Sequence, residues 1–186
     1  MRAPFGWLAA GYQKPVFVVL VGLTLAAMGG LQVLGRPLKT GAADQGIVSF
    51  ELAGDPAAAQ AILDSWGPAG QVYAGLSLGL DYLFMVAYAG SIGLGCVLVA
   101  GRLGAKAATP GILLAWGQIA AALLDSLENY ALIQLLLGNS GQLWPLLARW
   151  CAIPKFGLVV AGLLYVGLGG LAAWIVRANG RGEGQD

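Results

Sequence analysis

The sequence predicts an all-α integral membrane protein, with four transmembrane helices in an antiparallel up-and-down bundle and a short amphipathic interfacial helix in the first outer loop. Three observations carry that prediction. Only 10% of the 186 residues are charged and 58% are hydrophobic, against about 25% and 45–50% in soluble domains. Four apolar stretches, at about 15–35, 71–100, 112–137 and 154–176, are each long enough to cross a hydrocarbon core at about 1.5 Å per residue. Short polar turns join the last three, as expected of neighbours running in opposite directions.

Residues 1–13 carry Arg2, Phe5, Trp7 and Tyr12, a mixture suited to the membrane interface. The first span follows Lys14. Positive charge ahead of an apolar core also fits a signal peptide cleaved near Thr24 to Ala26, which is the competing reading. Gly22, Ala26 and Gly30 recur every four residues, a small-residue ridge that lets another helix approach.

The outer loop, 36–70, sets Asp44, Glu51, Asp55 and Asp64 against Arg36 and Lys39. Its second half has a helix signature. Asp55 suits the N-cap and Pro56 the first helical position; Ala59, Ile62, Leu63 and Trp66 share a face before Gly67 and Pro68 stop the helix. Lying flat on the membrane, such a helix would bury that face in lipid. Glu51 either stands in solvent or folds back towards the bundle. Loop acids are normally solvated or used as caps, and that reading is preferred for Glu51, Asp55 and Asp64.

The second span holds one ionisable residue, Asp81, on a stripe with Ser77, Met85, Tyr88, Ser91 and Gly95 that marks the interior face. Gly75 and Gly79 form a GxxxG pair, a motif of low specificity in a chain with thirty glycines. Arg102, Lys106, Pro110 and Gly111 mark the next turn. The third span contains LLDSLENYALIQLLL, which puts Asp125, Glu128 and Asn129 on one face with Gln118, Ala121, Ala122 and Leu132. A loop through Trp144, Arg149 and Trp150 then leads to a fourth span starting at Pro154, with Lys155 in its first turn, and a polar tail over 177–186 that is expected to be disordered.

Six Lys and Arg residues (Arg2, Lys14, Arg102, Lys106, Arg177, Arg181) fall on one side of this topology and three (Arg36, Lys39, Arg149) on the other. Both termini are therefore expected in the cytoplasm and the protein in a cytoplasmic, bacterial inner membrane. Trp66, Trp144 and Trp150 would anchor the outer surface and Trp7, Trp116 and Trp174 the inner one. Cys96 and Cys151 would lie on opposite sides, too far apart for a disulfide.

A carboxylate at bilayer depth costs about 2.5–3.5 kcal/mol on the insertion scale, so intramembrane acids need a partner, a cavity or a ligand. Asp81, Asp125 and Glu128 would lie about 14–18 Å below the outer ends of their helices. Ionised together, they would leave two uncompensated charges even with Lys155 beside them. One or two are then protonated, or a cation is bound. Asp81, Asp125, Glu128, Asn129 and Lys155 are the candidate site, with Tyr88, Tyr130 and Glu51 as secondary candidates. If a metal binds, oxygen donors point to Ca²⁺ or Mg²⁺ at Asp81, Asp125 and Glu128, and no other cofactor is expected. With no histidine in the chain, a His-ligated haem or zinc and the usual Ser/His or Cys/His pairs are excluded.

Three functions fit. The preferred one binds or translocates a cation, proton or small solute; four helices would make a small carrier, so a homo-oligomer is plausible. An embedded enzyme acting on a lipid or amphiphile is the second, weakened by the lack of a recognisable nucleophile arrangement. The third is an accessory subunit that binds a membrane-protein partner, in which Lys155, Asn129, Tyr82, Tyr88 and Tyr130 satisfy the acids structurally. A net charge of +1 without a basic stripe argues against nucleic acid.

Overall fold

A computed structural model describes residues 3–182, and helices account for nearly all of it. In chain order they are α1 (Ala10–Gly35), α2 (Ile47–Glu51), α3 (Pro56–Ala100), α4 (Ala105–Leu136) and α5 (Leu143–Gly182), with a 3-10 turn at Arg36–Leu38. Four of these helices are long and apolar enough to span a membrane, as in a multi-pass membrane protein.

Several boundaries differ from the sequence reading, and prolines explain most of it. Pro154 lies inside α5, which begins at Leu143. The proline that marks the helix start is Pro145, where a missing backbone N–H goes unfelt because the first turn has no internal partners. The expected loop through Trp144 and Trp150 is thus helix, and Lys155 sits about three turns into α5. Pro110 likewise falls within α4. The helix also continues to Gly182 through residues assigned to a disordered tail; 183–186 lie outside the described residues.

At the start of α3 the N-cap is as expected, with Asp55 Oδ1 accepting from the Ala58 backbone N–H at 2.9 Å. Gly67 adopts φ 58° and ψ −176° inside α3 and bends it, a conformation open to glycine and followed by a proline that restarts the helix. The arm before the bend buries Ala59, Ile62, Leu63 and Trp66 against Leu38, Phe50, Leu132 and Ala148. That face is covered by protein, so Trp66 is no lipid anchor: its indole N–H donates to the Leu38 carbonyl at 2.7 Å and its ring meets Phe50 edge-on.

α3 is the central helix, packed against α1, α4 and α5, and α4 also packs along α5. α1 rests on α3 through Leu20 over Gly90, Phe17 over Gly95 and Gly30 against Leu80, with Thr24 Oγ1 3.3 Å from Ser91 Oγ. The predicted ridge on α1 contributes only Gly30, since Gly22 and Ala26 are exposed; the glycines that admit this helix belong to α3. Nothing approaches Gly75 or Gly79. Two apolar clusters result, one around Phe50, Trp66, Leu78 and Leu132 and the other around Met85, Ile92, Cys96 and Ala115. Along α3, α4 and α5 the polar residues fall between them.

Candidate functional site

The α3 and α4 stripes predicted to face inwards do so. Ser77, Met85, Tyr88 and Ser91 are buried on α3, and Gln118, Asp125, Glu128 and Asn129 on α4. Side chains three and four residues apart stack on one helical face, so Asp125, Glu128 and Asn129 reach α3 and α5 together. Asn129 Nδ2 donates to Asp81 Oδ2 at 2.7 Å, and Tyr88 Oη donates to Asp125 Oδ2 at 2.9 Å.

Lys155 enters from α5, and its Nζ donates to Asp125 Oδ1 at 2.9 Å and Glu128 Oε1 at 2.8 Å, with Glu128 Oε2 at 2.7 Å. The ammonium also lies 4.6 Å from the Phe156 ring centroid, a cation–π contact. Buried charges persist only when paired and hydrogen-bonded; both acids of this half reach the ammonium, which balances the charge of one of them, and Glu128 Oε2 accepts no hydrogen bond although it lies 2.7 Å from Nζ.

Glu51 overturns the solvated reading. The short α2 helix folds back over the bundle and brings the Glu51 Oε2 to 4.0 Å from Lys155 Nζ, in a residue only 9% exposed. That oxygen accepts no hydrogen bond. Burial pushes the Glu51 carboxyl above its ordinary value and nearby Asp125 adds to the shift, while Lys155 and a hydrogen bond with Glu128 oppose it. Asp55 and Asp64 keep their expected roles, as the α3 cap and as a surface acceptor for Gln60.

A cavity of about 450 Å³ adjoins this layer. Glu51, Asp81, Asp125 and Lys155 line one part of it, and mainly apolar side chains of α1, α2, α3 and α5 line the rest, with the hydroxyls of Thr24, Tyr88 and Ser91 among them. α1 and α5 each pack on α3 but scarcely touch one another. Leu25 and Leu163, which border the cavity, are exposed, so it opens on the flank of the bundle between these two helices.

The structure thus gathers Asp81, Asp125, Glu128, Asn129, Lys155, Tyr88 and Glu51. Tyr130 is not among them: it is exposed and stacks edge-on with Trp144 at 5.8 Å. Tyr82 is exposed too, with its hydroxyl 3.4 Å from the Ser126 carbonyl rather than on an acid. Among the described residues no three acids converge in a metal-holding group. Lys155 instead occupies the centre between Asp125 and Glu128, with Glu51 beyond them. Both cysteines are free and buried.

Sequence reasoning missed the apolar wall. A signal was present, since Phe17, Val21, Thr24 and Met28 follow helical spacing on α1, and Lys155, Val159, Leu163 and Val166 do so on α5. In a membrane helix, though, such stripes look like any lipid-facing surface. Comparison with protein-family models, curated proteins and solved structures finds no match.

Proposed function

We propose that this protein binds a small solute at its buried acid–lysine layer, and that the solute enters from the lipid side between α1 and α5. One observation carries the reading: four carboxyls share a layer with a single ammonium, which pairs with Glu51, Asp125 and Glu128 but not with Asp81, and three of the four acids line a cavity that opens sideways. Full ionisation would leave three uncompensated negative charges in a low-dielectric layer, which is untenable without protons or a ligand. Protons neutralise the empty site, and a solute with hydrogen-bond donors replaces them.

Binding is favoured over translocation because the side-chain donors beyond the layer are engaged by helix carbonyls, leaving the buried Gln118 Oε1 as the one buried side-chain atom there without a hydrogen bond among the described residues. Ser91 donates to the Tyr88 carbonyl at 3.0 Å and Gln118 to the Leu158 carbonyl at 2.8 Å. Catalysis is disfavoured on similar grounds. The aliphatic cavity hydroxyls, Thr24 and Ser91, bond to helix carbonyls and to each other, and the one lining hydroxyl that meets an acid, Tyr88, donates to an Asp125 whose other oxygen is held by Lys155.

In this reading the four long helices run up and down in order. Support comes from paired positions that progress in opposite senses, Leu20 with Gly90 and Gly30 with Leu80 on α1 and α3, and Asp81 with Asn129 and Tyr88 with Asp125 on α3 and α4. The arm before Gly67 lies along the outer surface of a cytoplasmic membrane, with both termini inside as the Lys and Arg distribution indicates.

The test is labelling by dicyclohexylcarbodiimide, a lipid-soluble reagent that modifies protonated carboxyls, on protein in liposomes. Modification mapped to Asp81 or Glu51 is the expected result. A layer in which none of the four acids reacts would be sealed and structural, and the proposal would fail.

A further inference from the structure

The cavity is divided by chemistry, and the division specifies what fits. At one end Asp81 accepts a single hydrogen bond, from Asn129, and among the described residues no ion pair involves it. Glu51 Oε2, in a residue nine-tenths buried, accepts none. Away from that end the walls are Val21 and Leu25 on α1, Ile92 on α3, and Val159 and Leu163 on α5, interrupted only by the Thr24 and Ser91 hydroxyls, which bond to each other and to helix carbonyls. Phe17 and Val166 both close on Gly95, where an added Cβ would meet each at 3.1 Å, so the apolar end is shut.

We propose that the ligand is a cationic amphiphile, a primary amine on a single apolar chain, with its ammonium between Asp81 and Glu51 and its chain between α1 and α5 towards Phe17 and Val166. This rests on the binding-site reading above. An ammonium supplies three donors and a positive charge, which are what the unpaired oxygens and the excess of acids lack. An anionic head would add to that excess, and a neutral hydroxyl would donate one hydrogen bond but leave the charge uncompensated. A bare divalent ion would need converging acids, which are absent among the described residues. The volume of about 450 Å³ lies within the range of small-molecule sites, about 300–1,000 Å³. Lateral opening suits a molecule that partitions into the bilayer before it binds.

The experiment compares dodecylamine, dodecanol and dodecyl sulfate, one chain with three heads, by the melting temperature of the protein in phosphatidylcholine nanodiscs. Dodecylamine is expected to raise it saturably and the other two not to. Asp81→Asn should raise the half-saturating concentration about tenfold or more, as loss of one charged hydrogen bond does. Val159→Phe narrows the path of the chain one turn beyond Lys155 and should abolish the shift while carbodiimide labelling persists. Glu51→Gln replaces either variant if it does not fold. Carbodiimide labelling together with an equal response to dodecanol would overturn the amine assignment and leave the site standing. A dodecylamine shift unchanged in Asp81→Asn and Val159→Phe would overturn it too, by locating the amine elsewhere. Neither labelling nor any saturable shift would sink both proposals.

Discussion

The two halves of the polar layer follow opposite rules. On the α4–α5 side Asp125 and Glu128 are 2% and 0% exposed, and each accepts from Lys155, with Tyr88 completing Asp125. On the cavity side Asp81 is only half-buried and Glu51 leaves an oxygen without a hydrogen bond. The closed half holds helices together. The open half has capacity to spare, and the difference follows from where the ammonium goes: one lysine stem, coming from α5, reaches the α4 acids closely and Glu51 only at 4.0 Å.

The largest effect should come from removing that shared cation. Lys155→Met leaves Asp125, Glu128 and Glu51 buried without a counter-charge, and loss of one partner of a buried pair typically costs about 3–5 kcal/mol. Denaturant unfolding in mild detergent would show it. A loss below about 1 kcal/mol would mean the closed half is not held by its charges.

Next in size is the contrast between the halves. Glu128→Gln should destabilise by about 1–3 kcal/mol, the usual scale for a hydrogen bond to a charged group. Asp81→Asn should cost less than that and still abolish carbodiimide labelling at position 81. Equal losses from the two substitutions would erase the distinction drawn between them.

A smaller effect concerns pH. Burial raises the Glu51 carboxyl above its ordinary value of 4.5, with Asp125 adding to the shift and Lys155 and Glu128 opposing it. The folded state therefore holds that proton more tightly than the unfolded chain does. Its contribution to stability is complete below the ordinary value and is lost as pH rises through the raised one. Glu51→Gln, which mimics the protonated acid, should flatten the dependence of melting temperature on pH above 4.5 and melt no lower than the parent at neutral pH. A steeper dependence in the variant would contradict the assigned sign.

The smallest effect belongs to α1, where one buried residue, Ala27, and one inter-helix hydrogen bond, Thr24 to Ser91, accompany packing over glycines. Thr24→Val should cost about 1 kcal/mol or less and leave carbodiimide labelling unchanged. A loss as large as that from Lys155→Met would mean α1 is a principal strut and not a lightly held wall of a cavity.

Much of this was legible in order of residues alone. Acids inside apolar runs are rare enough that Asp81, Asp125, Glu128 and Asn129 stood out, and helical periodicity aligned them with Tyr88 on inward faces. Glu51 and the cavity were harder. GIVSFEL has no clean period, and a five-residue helix folding back over the bundle depends on contacts with α3, α4 and α5 that lie far away in the chain. The sequence reading starts the last helix at Pro154, whereas the helix begins at Leu143 and the turns before Pro154 pack against α4 through Ala148.

By itself, then, the sequence determined that the chain is helical, that four helices are apolar enough for a membrane, and that Tyr88, Asp125, Glu128 and Asn129 face inwards, because hydropathy and periodicity are local properties. Tertiary structure decided how the charges are shared. Lys155 can satisfy only the acids within reach of its stem, and α1 and α5 meet α3 without closing on each other. Hence Asp125 and Glu128 are hydrogen-bonded to Lys155, while Asp81 and Glu51, which line the cavity beside Asp125, are not.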